Sequence, residues 1–195
     1  MKPNAISSIL LTALCLLGSV AWASTWYVKG VSGSDSNNCT SASTACKSIG
    51  HAISLALSGD SIIVIAATYS EKLTIGKNLS ILGSGAPTTI IDGGGGVGTV
   101  VNISNGTNVT LSKVTIQNGS ALFGGGINNG GTLTINQCTL SRNKAVHTEF
   151  GGGVGGGINN GGTLTINNST FSGNSTTFFG NRGGGAVAAS STGEH

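Results

Sequence analysis

Charge is scarce in this 195-residue sequence: Asp, Glu, Lys and Arg together make up 8% of it, and aromatic residues make up 5%. So little charge excludes a chain held open by self-repulsion. The formal net charge is +3, and it drops to +2 if Lys2 is removed with a leader. That is too weak and too scattered for a nucleic-acid footprint. After residue 23 no apolar run is long enough to cross a bilayer as a helix. No C-x-x-C or similar metal-ligand spacing occurs. The Gly-rich segments lack the Lys-Ser/Thr ending of a phosphate loop, and they lack the Asp of calcium-binding nonapeptide repeats. The acids Asp35, Asp60, Glu71, Asp92, Glu149 and Glu194 are never close in sequence. Glycoside hydrolysis wants two neighbouring carboxylates, and a calcium-dependent lyase wants several beside a basic residue. Sequence alone therefore predicts no catalytic residue, no metal and no cofactor.

What is abundant is glycine, with 34 residues, and short bursts of Ile, Val and Leu among Ser, Thr and Asn. This composition predicts many brief strands. Residues 1–23 read as a secretory leader: Lys2, then the apolar run Ile9–Val20, then Ala21-Trp22-Ala23 as a cleavage site. The rest divides into 24–60, a loop followed by a helix, and 61–195, a run of strands and turns. Ser24–Val28 and Ser61–Ala66 read as strands. Lys47–Ser58 has apolar Ile49, Ile53, Ala56 and Leu57 at helical spacing. Export permits a disulfide between Cys39 and Cys46, which would tie the opening loop to that helix. Cys138 falls on an inward strand position and reads as a buried thiol.

The segment GGGINNGGTLTIN occurs at Gly124–Asn136 and, unchanged, at Gly155–Asn167. A repeat this faithful is what stacking requires. If each repeat is one turn of a coil, every strand pairs with its equivalent one turn above, about 4.8 Å away. Leu133 then lies under Leu164, Ile135 under Ile166, Ile127 under Ile158 and Leu140 under Phe171. Asn128 and Asn129 stack with Asn159 and Asn160, and Asn143 with Asn174, as amide ladders in which each side chain donates and accepts. Thr132, Thr134, Thr163 and Thr165 point outward. Such T-x-T arrays occur on ice-binding solenoids, and Thr is also an ordinary outward strand residue; two rows do not separate the two readings.

These residues resemble the right-handed parallel β-helix proteins of the pectin-lyase-like superfamily, and within it the polymorphic outer-membrane-protein repeat, marked by GGA[ILV] and FxxN. Gly184-Gly185-Ala186-Val187 matches the first motif. Gly124–Ile127 and Gly155–Ile158 are variants with Gly for Ala. Phe171–Asn174 and Phe178–Asn181 match the second motif, and Leu140–Asn143 departs by Leu for Phe. The opening WYVKGVSGSDSNNC, the helix and GDSIIVIAATYSEKLTI resemble the start of secreted bacterial β-helix proteins, in which a helix covers the open end of the coil. The resemblance implies an all-β, right-handed, single-stranded parallel β-helix with a short N-terminal capping helix. The third copy, from Gly183, dissolves into AVAASSTGEH, so truncation at the C-terminus is an expectation, with end-to-end self-association through an open last rung.

The resulting functional expectation is a bacterial protein, secreted or at the cell surface, the outer-membrane surface being one such place, that is not an enzyme and binds a polysaccharide or another cell surface, with no nucleic-acid partner. The polar cluster Arg142, Lys144, His147 and Glu149, in a segment that lengthens its rung, is the candidate binding site. The alternatives are a pectate-lyase-like carbohydrate-active enzyme with an incomplete site, and a structural stalk.

Overall fold

The computed structural model describes residues 23–148, 151–152, 154–177 and 185–189. The expected leader, Glu149 and the Phe178–Asn181 motif lie outside them. The chain opens with β1 (Thr25–Val28) and α1 (Ile49–Leu55). The coil then begins with β2 (Ser61–Val64), β3 (Ala67–Tyr69) and β4 (Leu73–Ile75). The next pass holds β5 (Leu79–Gly83), β6 (Thr89–Asp92) and β7 (Val101–Ile103). It is followed by β8 (Asn108–Ser112), β9 (Thr115–Gln117), β10 (Ser120–Ala121) and β11 (Ile127–Asn129). The first long repeat gives β12 (Thr132–Asn136), β13 (Thr139–Ser141), β14 (Lys144–Thr148), β15 (Gly151–Gly152) and β16 (Ile158–Asn160). The last pass is β17 (Thr163–Asn167), β18 (Thr170–Ser172), β19 (Ser175–Thr177) and β20 (Val187–Ala189).

Equivalent strands stack into parallel sheets that run the length of the coil. Sheet A is six-stranded, in the order β1-β2-β5-β8-β12-β17; sheet B runs β18-β13-β9-β6-β3, and sheet C runs β20-β16-β11-β7-β4. A smaller sheet joins β10, β14 and β19 in parallel, with β15 antiparallel to β14. The fold is thus an all-β parallel solenoid. Leu133 pairs with Leu164 and Ile135 with Ile166; Ile127 pairs with Ile158, and Leu140 with Phe171. Each strand alternates, so its inward residues meet in one axial column. Ile62, Ile81, Leu111 and Ile135, all essentially fully buried, follow one another along sheet A.

The Gly and Asn of the repeat turn the corners. Gly124 and Gly155 sit at φ of 59° and 62°, where a Cβ would also run into the Ile127 or Ile158 carbonyl oxygen. Asn143, fully buried, accepts from the Gly119 backbone N–H and donates to the Ile116 carbonyl and to Asn174 Oδ1. Asn129 donates to Asn160, and Asn159 to Asn128. The last ladder runs one rung further than the repeat indicates, because Asn128 in turn donates to Asn102.

The capping helix is shorter than its apolar spacing predicts. Ser48 stays outside as N-cap, its hydroxyl accepting from the His51 N–H, and Ala56 is already extended. The Leu57 N–H donates to Asp60 Oδ2, which draws the chain off the helix and leaves Leu57 68% exposed. Ile49, Ala52 and Ile53 cover the end of the core. Asp60 also accepts from the Ser24 N–H and the Trp26 indole, so one carboxylate joins β1, the helix end and β2. β1 is itself a strand of sheet A, paired with β2. Cys39 and Cys46 form a disulfide beside β1, and Cys138 is a buried free thiol just ahead of β13.

Candidate functional site

Where the chain leaves sheet B, successive rungs place polar residues side by side. Asp92 at the end of β6 is paired with Gln117 at the end of β9, and Gln117 with Ser141 at the end of β13. One residue further on come Asn118 and Arg142, both left-handed, at φ of 56° and 54°. That corner turns their side chains out over the column. Gln117 Nε2 donates to Asp92 Oδ2 at 2.7 Å, and Asn118 Nδ2 donates to the same oxygen at 2.9 Å. The Gly94 N–H donates to Asp92 Oδ1. Arg142 reaches back across a rung, its Nη2 donating to Gln117 Oε1 at 2.8 Å and its Nε to Asn118 Oδ1 at 3.3 Å. Burial pushes the Asp92 carboxyl up, but the hydrogen bonds from Gln117, Gly94 and Asn118 and the Arg142 charge outweigh it. The carboxyl is held below the usual carboxylate range, so near neutral pH it is an anion and not an acid.

The cluster lies in a groove that follows the coil axis. A cleft of about 510 Å³ is lined by Gly94, Gly95, Asn118, Ser120, Arg142 and Lys144. It meets at Gly94 a second cleft that contains Glu71, Lys72 and Asp92. That one shares Ser70 and Glu71 with a third, which reaches Asp35 and Lys47. The acids in this groove are engaged by the protein. Asp35 accepts from the Lys47 and Ser48 N–H groups and the Ser48 hydroxyl, and Glu71 accepts from the Ile49 and Gly50 N–H groups. Lys72 donates to the Gly96 and Val97 carbonyls. The ammonium groups of Lys47 and Lys144 have no hydrogen bond or ion pair among the described residues. The groove therefore offers uncommitted positive charge along its length and one central carboxylate.

Of the residues singled out from sequence, Arg142 and Lys144 do share a wall of the groove. His147 lies two strand positions past Ala145, and its backbone faces Gly152 across the β14–β15 pair. Asp92, Gln117 and Asn118 were not anticipated. Asp92 and Glu71, distant in sequence, line one cleft. A signal was nonetheless present: Ile91-Asp92, Ile116-Gln117 and Leu140-Ser141 each close a short strand in the same way. Among the described residues the one grouping of metal-ligating side chains is Cys39, Cys46 and His51, where both sulfurs are spent on the disulfide.

Two solved structures are similar in fold. Pectin methylesterase PemA from Erwinia chrysanthemi is 17% identical, with a TM-score of 0.50. A pectin methylesterase mutant in complex with a hexasaccharide is 17% identical, with a TM-score of 0.49. Each match covers 77% of this chain and 56% of the other, so the chain spans little more than half the length of those neighbours. No family model and no curated relative matches the chain. The likeness is one of fold, and the parallel β-helix is what it shows. It also corrects the expectation that the chain is not an enzyme, because the neighbouring scaffold is that of an enzyme, a pectin methylesterase. That expectation relied on acids being distant in sequence, and distance in sequence says little once rungs stack.

Proposed function

We propose that this chain is a carbohydrate-active enzyme of the parallel β-helix class that hydrolyses ester groups on a carboxylated polysaccharide lying along the groove. The observation that supports this reading most is Asp92, an ionised carboxylate facing the groove with amide donors and a guanidinium on the adjoining rungs. A carboxylate kept anionic cannot serve as the acid that glycoside cleavage requires, and among the described residues the other carboxylates of the groove, Glu71 and Asp35, are held by backbone N–H groups. Asp92 can serve as a nucleophile toward an acyl carbon: its oxygen bonds the ester carbon, the ester C–O bond breaks and the alcohol leaves with a proton drawn from water, and a second water cleaves the resulting anhydride to restore the carboxylate. The amides of Gln117 and Asn118 and the Arg142 guanidinium, grouped around Asp92, are donors of the kind that stabilise an oxyanion formed at such a carbon. Lys47, Lys72 and Lys144 would hold the acidic units on either side. The activity of the neighbouring PemA structure, pectin methylesterase, is of the same class.

The test is methanol release from methyl-esterified polygalacturonate. Wild-type protein should release methanol, and Asp92→Asn should lower the rate by roughly 10²-fold or more, the scale on which loss of a central group acts. Absence of release by wild type across neutral and mildly alkaline pH, with the polymer demonstrably bound, would rule out the esterase reading.

A further inference from the structure

The outward face of sheet A differs from the rest of the surface, and the groove has no use for it. Strand pairing puts Thr25, Ser61, Ser80, Thr110, Thr134 and Thr165 into one unbroken outward column across the six-stranded sheet. Thr132 and Thr163 start a parallel column two residues away. The four Thr of the perfect repeat are thus part of a longer array, continued toward the N-terminus by residues that no sequence repeat marks. No outward position of a sheet A strand carries a charge. None of the six hydroxyls is hydrogen-bonded to another protein group among the described residues. In another outward column, by contrast, the polar groups bond one another: Asn128 donates to Asn102, and Asn159 to Asn128.

We propose that this face binds the surface of ice. Ice presents a rigid, uncharged and periodic array of donors and acceptors. A complementary surface must be flat, periodic and free of charge, because a charged group orders water around itself. It must also donate and accept at each point, and a hydroxyl does both. A parallel sheet supplies the lattice, about 4.8 Å between strands and about 6.8 Å between residues i and i+2 along a strand. Both spacings are of the order of oxygen repeats in ice. Thr adds rigidity, since its branched Cβ restricts χ1 and holds methyl and hydroxyl in fixed places. A neutral polysaccharide surface is the less favoured occupant: flat sugar faces are held by aromatic rings, and Tyr27, at one end, is the sole aromatic outward on this sheet.

The experiment measures the gap between freezing and melting temperature, and the shape of growing ice crystals, for the full chain. Wild type should open a gap and facet the crystals. Thr134→Lys, an outward change in the middle of the array, should remove both while circular dichroism and melting temperature stay at wild-type values. Asp92→Asn should leave both effects intact, which separates this face from the groove. If Thr134→Lys lowers the melting temperature, Thr110→Lys serves in its place. A gap no larger than that of an inert protein of similar size overturns the proposal. So does an undiminished gap in the Lys variants, or binding to insoluble neutral glucan with no effect on ice.

Discussion

The two copies of GGGINNGGTLTIN have one sequence and two fates. In the first, Leu133 and Ile135 are wholly buried; in the second, Leu164 is half-buried and Ile166 is 41% exposed. Their backbones match residue for residue. What differs is the neighbour. β12 lies between β8 and β17, whereas β17 pairs among the described residues on one side, with β12. Ile158 makes the same point from within the second copy: β20 covers that strand on its far side, and Ile158 is as buried as Ile127. In a solenoid, burial belongs to the interface between rungs, and stability is close to a sum of such interfaces.

The largest expected effect breaks the comparison at the core. Ile135→Ala should cost about 2–5 kcal/mol, the range for emptying a buried aliphatic site. Ile166→Ala, the same change one rung on, should cost less than about 1 kcal/mol, because little apolar surface returns to water. Denaturant unfolding of the two variants decides it. Equal losses would mean that β17 is covered in solution by something this structure does not describe.

Next come the buried amides. Asn143→Ala strips the Gly119 N–H and the Ile116 carbonyl of their partners inside the core, at about 1–3 kcal/mol for a group left unsatisfied. Asn174→Ala removes the amide that caps Asn143 and bonds the Leu140 carbonyl. Its site is half-buried, so water can replace part of what is lost, and the loss should be the smaller of the two in the same unfolding experiment.

The comparison also explains what could be read from the amino-acid sequence. The register of the last rungs was legible because identical residues recur at one offset, and Leu133 can stack under Leu164 without any other information. The site was not legible because earlier rungs differ in length. Asp92, Gln117 and Ser141 share a column, yet the turns between them are unlike, so no self-match aligns them. Strand β3 carries little sequence signal for a related reason: Ala67-Thr68-Tyr69 has one inward anchor, Tyr69, and its place is fixed by pairing with β6. Arg142 and Lys144 were found as a polar cluster, but their partners across the rung were not.

Acid should sharpen the contrast between the ends. Asp35, Asp60 and Asp92 all lie in the N-terminal rungs, and each is held below its ordinary value. Burial raises each one; the opposing hydrogen bonds come mainly from Ser48 for Asp35, Trp26 for Asp60 and Gln117 for Asp92. A depressed carboxylate contributes stability that is complete above the unfolded value, about 3.9, and is lost as pH falls through the folded one. Hydrogen exchange below pH 4 should therefore rise first around residues 24–60 and the end of β6, with β12 and β13 protected longer. Uniform loss of protection would show that these carboxylates do not hold the N-terminal end.

The smallest expected effect on stability is the most informative about function. Arg142 and Gly173 occupy the same corner of successive copies, both left-handed, at φ of 54° and 62°. A side chain in that conformation costs about 1–2 kcal/mol that glycine avoids, while glycine gives back roughly 0.4–1 kcal/mol through the freedom of its unfolded chain. Arg142→Gly, which writes the second copy's residue into the first, should thus change stability by less than about 1 kcal/mol in either direction. Its bonds to Gln117 and Asn118 lie at the surface and do not alter that balance much. Methanol release and affinity for polygalacturonate should fall even so, since the guanidinium facing Asp92 is gone. A residue kept where glycine would fold as well is retained for what it touches. If Arg142→Gly unfolds the protein by more than about 2 kcal/mol and leaves binding unchanged, Arg142 is a structural clamp and the groove must be assigned another cation.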